Sequence, residues 1–185
     1  MMDAGELLLL AAALASSPAP PGIVVEIGTY TGDSAVFMGR VLRLLGRDIP
    51  ILSIDAFDWI QPDPRNPQGM YASYREKVRS HHLERNCMVL SAFSDAAAAI
   101  VPDRIGLLIV DGGHAYEVAR KDLLLYSPKV LPMGYLFVDD YGPAYPEVVR
   151  AVNEFLEHHP EFTAVHRSHF LIAQRMPSEG KSAIE

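Results

Sequence analysis

Positive charge is scarce in this 185-residue chain: sixteen Lys and Arg stand against twenty-three Asp and Glu, a formal net charge of -7. No basic run occurs, which excludes binding to nucleic acid by phosphate neutralisation. Cysteine is scarcer still. Cys87 alone cannot form an intrachain disulfide or build a thiolate zinc site, and it points to a reducing, cytoplasmic setting. The longest apolar run, LLLLAAALA in residues 7–15, falls well short of the ~20 residues of a membrane span. It also lacks a positive flank, since the first basic residue is Arg40 and Asp3 and Glu6 precede it. A short packed helix ended by Pro18, Pro20 and Pro21 is therefore expected; a signal peptide cleaved after Ala13–Ala15 is the alternative. Internal repeats and low-complexity blocks are also missing.

What is abundant is apolar residues, 49% of the chain, enough for one sizeable core. One domain is expected over 1–176, with 1–21 as N-terminal helix and proline-rich connector and 177–185 as a tail. Strands are predicted at Ile23–Ile27, Ile51–Phe57, Cys87–Phe93, Ile105–Asp111 and Tyr135–Asp140, from apolar runs rich in β-branched residues. Between them helical spacing appears at Phe37–Leu45, closed by Gly46, at Met70–Arg85 and at His114–Leu131. A further helix starts at Pro146, and FTAV and FLIAQ read as an antiparallel hairpin. The fold class is thus α/β, a Rossmann-like, doubly wound, mostly parallel seven-stranded sheet with a C-terminal antiparallel hairpin. In such sheets ligands bind beyond the carboxyl ends of the strands, where Gly28, Asp55, Ser91, Asp111 and Asp139 fall.

The first strand ends in VVEIGTYTGDS. Tyr30 and Asp33 occupy positions where a dinucleotide fingerprint starting at Gly28 has glycine, which weakens a nicotinamide reading. Gly28 and Gly32 still permit a tight turn and close backbone approach to a ligand, although a plain strand-to-helix turn has the same requirement. Asp55, ending the second strand, stands where a carboxylate accepts the hydroxyls of a ribose.

Four blocks together, VVEIGTYTGDSA, SIDAF, LLIVDGGHAYEVARKDL and MGYLFVDDY, resemble class I S-adenosylmethionine (SAM) dependent methyltransferases over nearly the whole length. The last two are similar to metal-dependent O-methyltransferases of the macrocin and mycinamicin type, which tailor sugars and natural products. The resemblance implies that Gly28, Thr29, Tyr30 and Gly32 line the methionine part of SAM and that Asp55 takes the ribose. It implies further that Phe57 packs on the adenine, that Ala92 and Phe93 meet its edge, and that Glu26, Ser34 and Asp111 complete the cofactor site. Tyr30 for a middle glycine and Ser91-Ala92 for a more polar pair depart from the family pattern.

Asp111, Asp139 and Asp140 end neighbouring strands. Three hard oxygen donors without a soft ligand favour Mg²⁺, Mn²⁺ or Ca²⁺. Helix capping by Asp111 and Asp140 is the competing explanation. His114 is a candidate general base, the alternative being an exposed first-turn histidine, and Asp111 shares the catalytic assignment. The acceptor, a saccharide or other small molecule, is expected against Trp59, Tyr71, Tyr74, Tyr141 and Tyr145, unless these aromatics cover the sheet or a second copy in a homodimer. An NAD(P)-dependent oxidoreductase and a non-catalytic SAM-binding module remain the other two function classes.

Overall fold

The computed structural model describes residues 2, 4–16, 22–58 and 69–177. Seven strands form one sheet in the order β3-β2-β1-β4-β5-β7-β6, with β1 at Ile23–Ile27, β2 at Ile51–Asp55, β3 at Cys87–Ser91, β4 at Ile105–Val110, β5 at Val130–Val138, β6 at Phe162–Arg167 and β7 at Leu171–Arg175. The first five run parallel, and β7 pairs antiparallel with both β5 and β6. Strand order reverses between β1 and β4, which is the switch point the predicted topology requires.

Alternation along the strands feeds two cores. Val24, Leu107, Ile109 and Phe137 face one side, where helices α1 (Ala4–Ser16), α2 (Asp33–Leu44) and α3 (Met70–Ser80) pack. Val25, Ile27, Leu108 and Leu136 face the other, covered by the short α4 (Ser94–Ala97), α5 (Tyr116–Tyr126) and α6 (Pro146–His158). The apolar N-terminal run is a helix whose Leu10 and Leu14 are buried, and Arg47 donates to the carbonyls of Leu14 and Ala15 at its C-terminal end. Pro18, Pro20 and Pro21 lie outside the described residues. Among those described, no helix is long and apolar enough to cross a membrane.

Several element ends differ from the sequence-based expectation for local reasons. The third helix stops at Ser80, since His82 takes a left-handed φ of 55° and the Leu83 amide turns back to the Val78 carbonyl. The fifth stops at Tyr126, because Pro128 lacks an N–H and disfavours helix in the residue before it. A single 3-10 turn at Ser127–Lys129 follows, and Val130 and Leu131, expected in the helix, begin β5. At α2, Gly46 takes φ 64° and the Arg47 amide returns to Leu42, as its predicted closing role requires.

One buried acid marks the second core. Asp122, 1% exposed, accepts from the Ser94 hydroxyl, and burial pushes its carboxyl up to about 6. Because the folded-state pKa exceeds the unfolded one, the associated stability is complete below about pH 4 and lost as pH rises through about 6. Asp122→Asn keeps the hydrogen-bond acceptor and removes the charge. Urea denaturation at pH 4 and pH 8 is expected to show the wild-type loss shrinking by about 2–3 kcal/mol in the variant; an equal loss in both proteins refutes the assignment.

Candidate functional site

The backbone ladder continues past the strand ends at the switch point. Gly28 N–H donates to the Ile54 carbonyl (2.9 Å), Asp111 N–H to Ile27 (2.8 Å) and Asp139 N–H to Val110 (3.0 Å). These bonds hold the residues after β1, β4 and β5 in register at one edge. Gly28, at φ 81°, is required by space as well as by conformation, because a Cβ there would lie 1.9 Å from the Asp111 carbonyl oxygen.

The loop after β1 is organised by Asp55. One carboxylate oxygen accepts the amides of Thr29 and Tyr30, each at 2.9 Å, and the other accepts the Phe57 amide at 2.8 Å. A carboxylate has about four acceptor positions, so three backbone bonds leave room for a ligand hydroxyl at the place assigned to a ribose. Tyr30 and Phe57 both adopt φ 53°, a costly conformation for residues with a Cβ that these bonds sustain. Around Asp55 lie exposed aromatic faces: Tyr30, Phe93 at 60% exposure, and Tyr71, whose ring meets Phe57 edge-on at 5.3 Å between centroids. The Ala92 amide donates to the Asp55 carbonyl, which brings the end of β3 to the same place. A peptide loop with left-handed turns, a carboxylate and flat apolar rims suits a ribonucleoside with a charged tail.

Beneath the loop sits Glu26, fully buried. Ser34 and Ser53 donate to its two oxygens, the latter at 2.7 Å, yet burial still raises its pKa. Glu26 and Ser34 thus support the loop from inside, and Thr29 is buried beside them.

Asp111, Asp139 and Asp140 follow directly on the ends of β4 and β5. Burial, followed by the charges of Asp139, Glu26 and Asp140, pushes Asp111 up to about 8. Burial and Asp139 also raise Asp140, opposed by His114, whose Nε2 lies 2.7 Å from the Asp140 carboxylate. Both shifts come first from burial and then from the neighbouring acids, a setting in which a positive charge would be favoured. Capping does not account for these acids, because α5 and α6 begin after Ala115 and Tyr145 without a side-chain cap from either. Asp140 sits at φ 57°, the break in the strand path that lets consecutive aspartates leave opposite faces of the sheet. The expected three-ligand set does not close on one point in this conformation: among the described residues no group of three His, Cys, Asp or Glu is arranged to hold an ion.

The expected acceptor wall divides. Tyr74 is corrected: it is 1% exposed, with its hydroxyl 3.3 Å from Ser53 Oγ and from the Met88 carbonyl, so it belongs to the core under Gly32. Trp59 lies outside the described residues. Tyr141 donates to Asn153 at 2.8 Å, and Tyr145 packs its ring against His114 at 4.3 Å, giving it a role in orienting the imidazole. Sequence reasoning missed Glu147, which accepts the Tyr116 amide and ties α6 to the turn carrying His114. It also missed Lys77, on a helix face whose partner is a loop distant in sequence.

No curated protein matches the chain. Solved structures share its fold at low identity. NovP, described as an O-methyltransferase, superposes with TM-score 0.75 at 22% identity, over 94% of this chain and 79% of that one. Apo CalS11, described as a TDP-rhamnose 3'-O-methyltransferase of calicheamicin biosynthesis, gives 0.72 at 17%, over 92% and 79%. SAH-bound PaMTH1, a methyltransferase of Podospora anserina, gives 0.69 at 15%, over 96% and 80%. A family described as a methyltransferase domain matches residues 25–141, more than half of the sequence, and the chain belongs to that family, with the fold of the class I SAM-dependent methyltransferases.

Proposed function

We propose that this protein is a SAM-dependent, divalent-metal-assisted O-methyltransferase acting on a hydroxyl of a sugar or small natural product. The observation that carries this reading is the excess of carboxylate at the ends of β4 and β5, beside a histidine and next to the Asp55 loop. The names of NovP and CalS11 support the acceptor class. Family membership leaves the oxidoreductase alternative without support.

SAM supplies an electrophilic methyl on a sulfonium, whose positive charge is lost on transfer. The turn at Gly28–Gly32, Asp55 and the aromatic faces of Phe57 and Phe93 bind and orient that cofactor at the edge of the sheet. Asp111, Asp139 and Asp140 are hard oxygen donors of the kind that holds a Mg²⁺-type ion; their chemistry, rather than a closed three-ligand arrangement, supports this reading. An ion held by these residues would supply Lewis acidity, lowering the pKa of an acceptor hydroxyl. His114, with Nε2 engaged by Asp140 and its ring against Tyr145, keeps Nδ1 as an acceptor for the hydroxyl proton. Tyr141 and Tyr145 border the acceptor.

Removing one donor tests the metal reading. Asp139→Ala is expected to lower turnover about a hundredfold or more, with binding of S-adenosylhomocysteine, read by calorimetry, nearly unchanged. Wild-type activity should vanish in EDTA and return with Mg²⁺, whereas full turnover in EDTA overturns the role of the ion.

Base loss is the second test. His114→Ala should reduce turnover by about 10²–10⁴-fold, and His114→Gln should not restore it. A variant of undiminished rate removes His114 from proton transfer.

A further inference from the structure

Helix α3 carries Tyr71, Tyr74 and Lys77, three residues apart and hence on one face. Each meets a different part of the proposed cofactor cradle. Tyr71 packs edge-on against Phe57, one of the two non-glycine residues held left-handed beside Asp55. Tyr74 fills the space under Gly32, where a Cβ would fall 2.5 Å from its ring. Lys77 reaches the far end of the loop, its Nζ 2.7 Å from both Thr31 Oγ1 and Asp33 Oδ2, and Thr31 donates in turn to Asp33 at 3.1 Å. The loop between these contacts holds Gly28, Tyr30 and Gly32 at φ 81°, 53° and 85°. The two glycines take such φ freely, but Tyr30 persists there only where its surroundings over-determine it. Asp55 fixes it from the β2 side, and α3 is the second support.

We propose that α3 is a clamp for the cofactor loop and that Lys77 is its positioning residue, holding Thr31 and Asp33 so that the loop backbone stays in the ligand-ready conformation. The ammonium does this with charge-assisted bonds that are half-shielded from solvent, its side chain being 35% exposed. The inference rests on the SAM reading for its ligand, while its effect on loop order does not.

Lys77→Met and Asp33→Asn break the link from either side, Lys77→Arg preserves it, and Arg79→Met, which removes an exposed pair with Glu76 on the same helix, is the control. Calorimetry with S-adenosylhomocysteine is expected to show about tenfold weaker binding for Lys77→Met and Asp33→Asn and near-wild-type binding for the other two. The KM for SAM should rise similarly, and kcat at saturating SAM should fall much less. Hydrogen exchange of the amides at 28–33 should quicken in the same two variants without ligand. Wild-type exchange in both overturns the clamp, and weaker binding with unchanged exchange does so too, because it assigns Lys77 to direct ligand contact. Failure of the wild type itself to bind S-adenosylhomocysteine overturns the methyltransferase reading, and the exchange comparison still decides the clamp.

Discussion

The approach of β1 to β4 at Gly28 is the constraint from which the rest of the site follows. With the Asp111 carbonyl where a Cβ of residue 28 would sit, the two strands can separate only beyond this point. The chain therefore diverges there, β1 toward α2 and β4 toward α5, and leaves a crevice between. Backbone bonds from Gly28, Asp111 and Asp139 carry the sheet's register past the strand ends. Side chains distant in sequence are thereby set along one edge with the precision of a β-ladder rather than of loops. That precision is what methyl transfer needs, since an in-line displacement loses rate steeply with misplacement of its partners.

Charge is arranged around that edge in two ways. Asp55 is surrounded by amide donors, so its charge is already used by the fold and its remaining capacity is directional. Asp111 has the opposite setting: it is buried among other acids and pushed up to about 8. Neutralising a buried carboxyl by protonation is the usual response when no cation is at hand. A sulfonium or a divalent ion brought to this edge would relieve the burial and mutual repulsion of these acids. The overall charge of -7 is in this sense partly a local property of the strand ends.

Much of this was legible in the sequence, and the parts that were not share a physical cause. Continuous β-branched runs named the central strands, because a parallel strand covered on both faces has no polar period to confuse it. Gly28, Asp55, Asp111 and Asp139 followed once those strands were placed. Tyr74 misled because a tyrosine in a polar stretch reads as exposed, and only the Gly32 gap beneath α2 explains its burial. Lys77, Glu147 and the ring of Tyr145 act across contacts between elements far apart in the chain, which no local pattern encodes. The acids proposed as metal donors were legible as residue types, but the pairing of Asp140 with His114 depends on a left-handed backbone at Asp140 that composition does not announce.

The same left-handed backbone recurs at Tyr30, Phe57 and Asp140, and each instance lies at a strand end bordering the crevice. Glycine at these positions would relieve the strain, yet each side chain has a task glycine cannot perform: two present aromatic faces and one pairs with His114. The fold offsets the conformational cost with bonds placed at those points, through the Asp55 carboxylate for Tyr30 and Phe57 and through the Asp139 carboxylate, which accepts the Asp140 amide at 2.8 Å. An acid therefore stands behind each of these three residues. Loss of such an acid would remove the support of a neighbouring side chain at the very edge where the cofactor site is proposed, so local stability and the proposed function are coupled there.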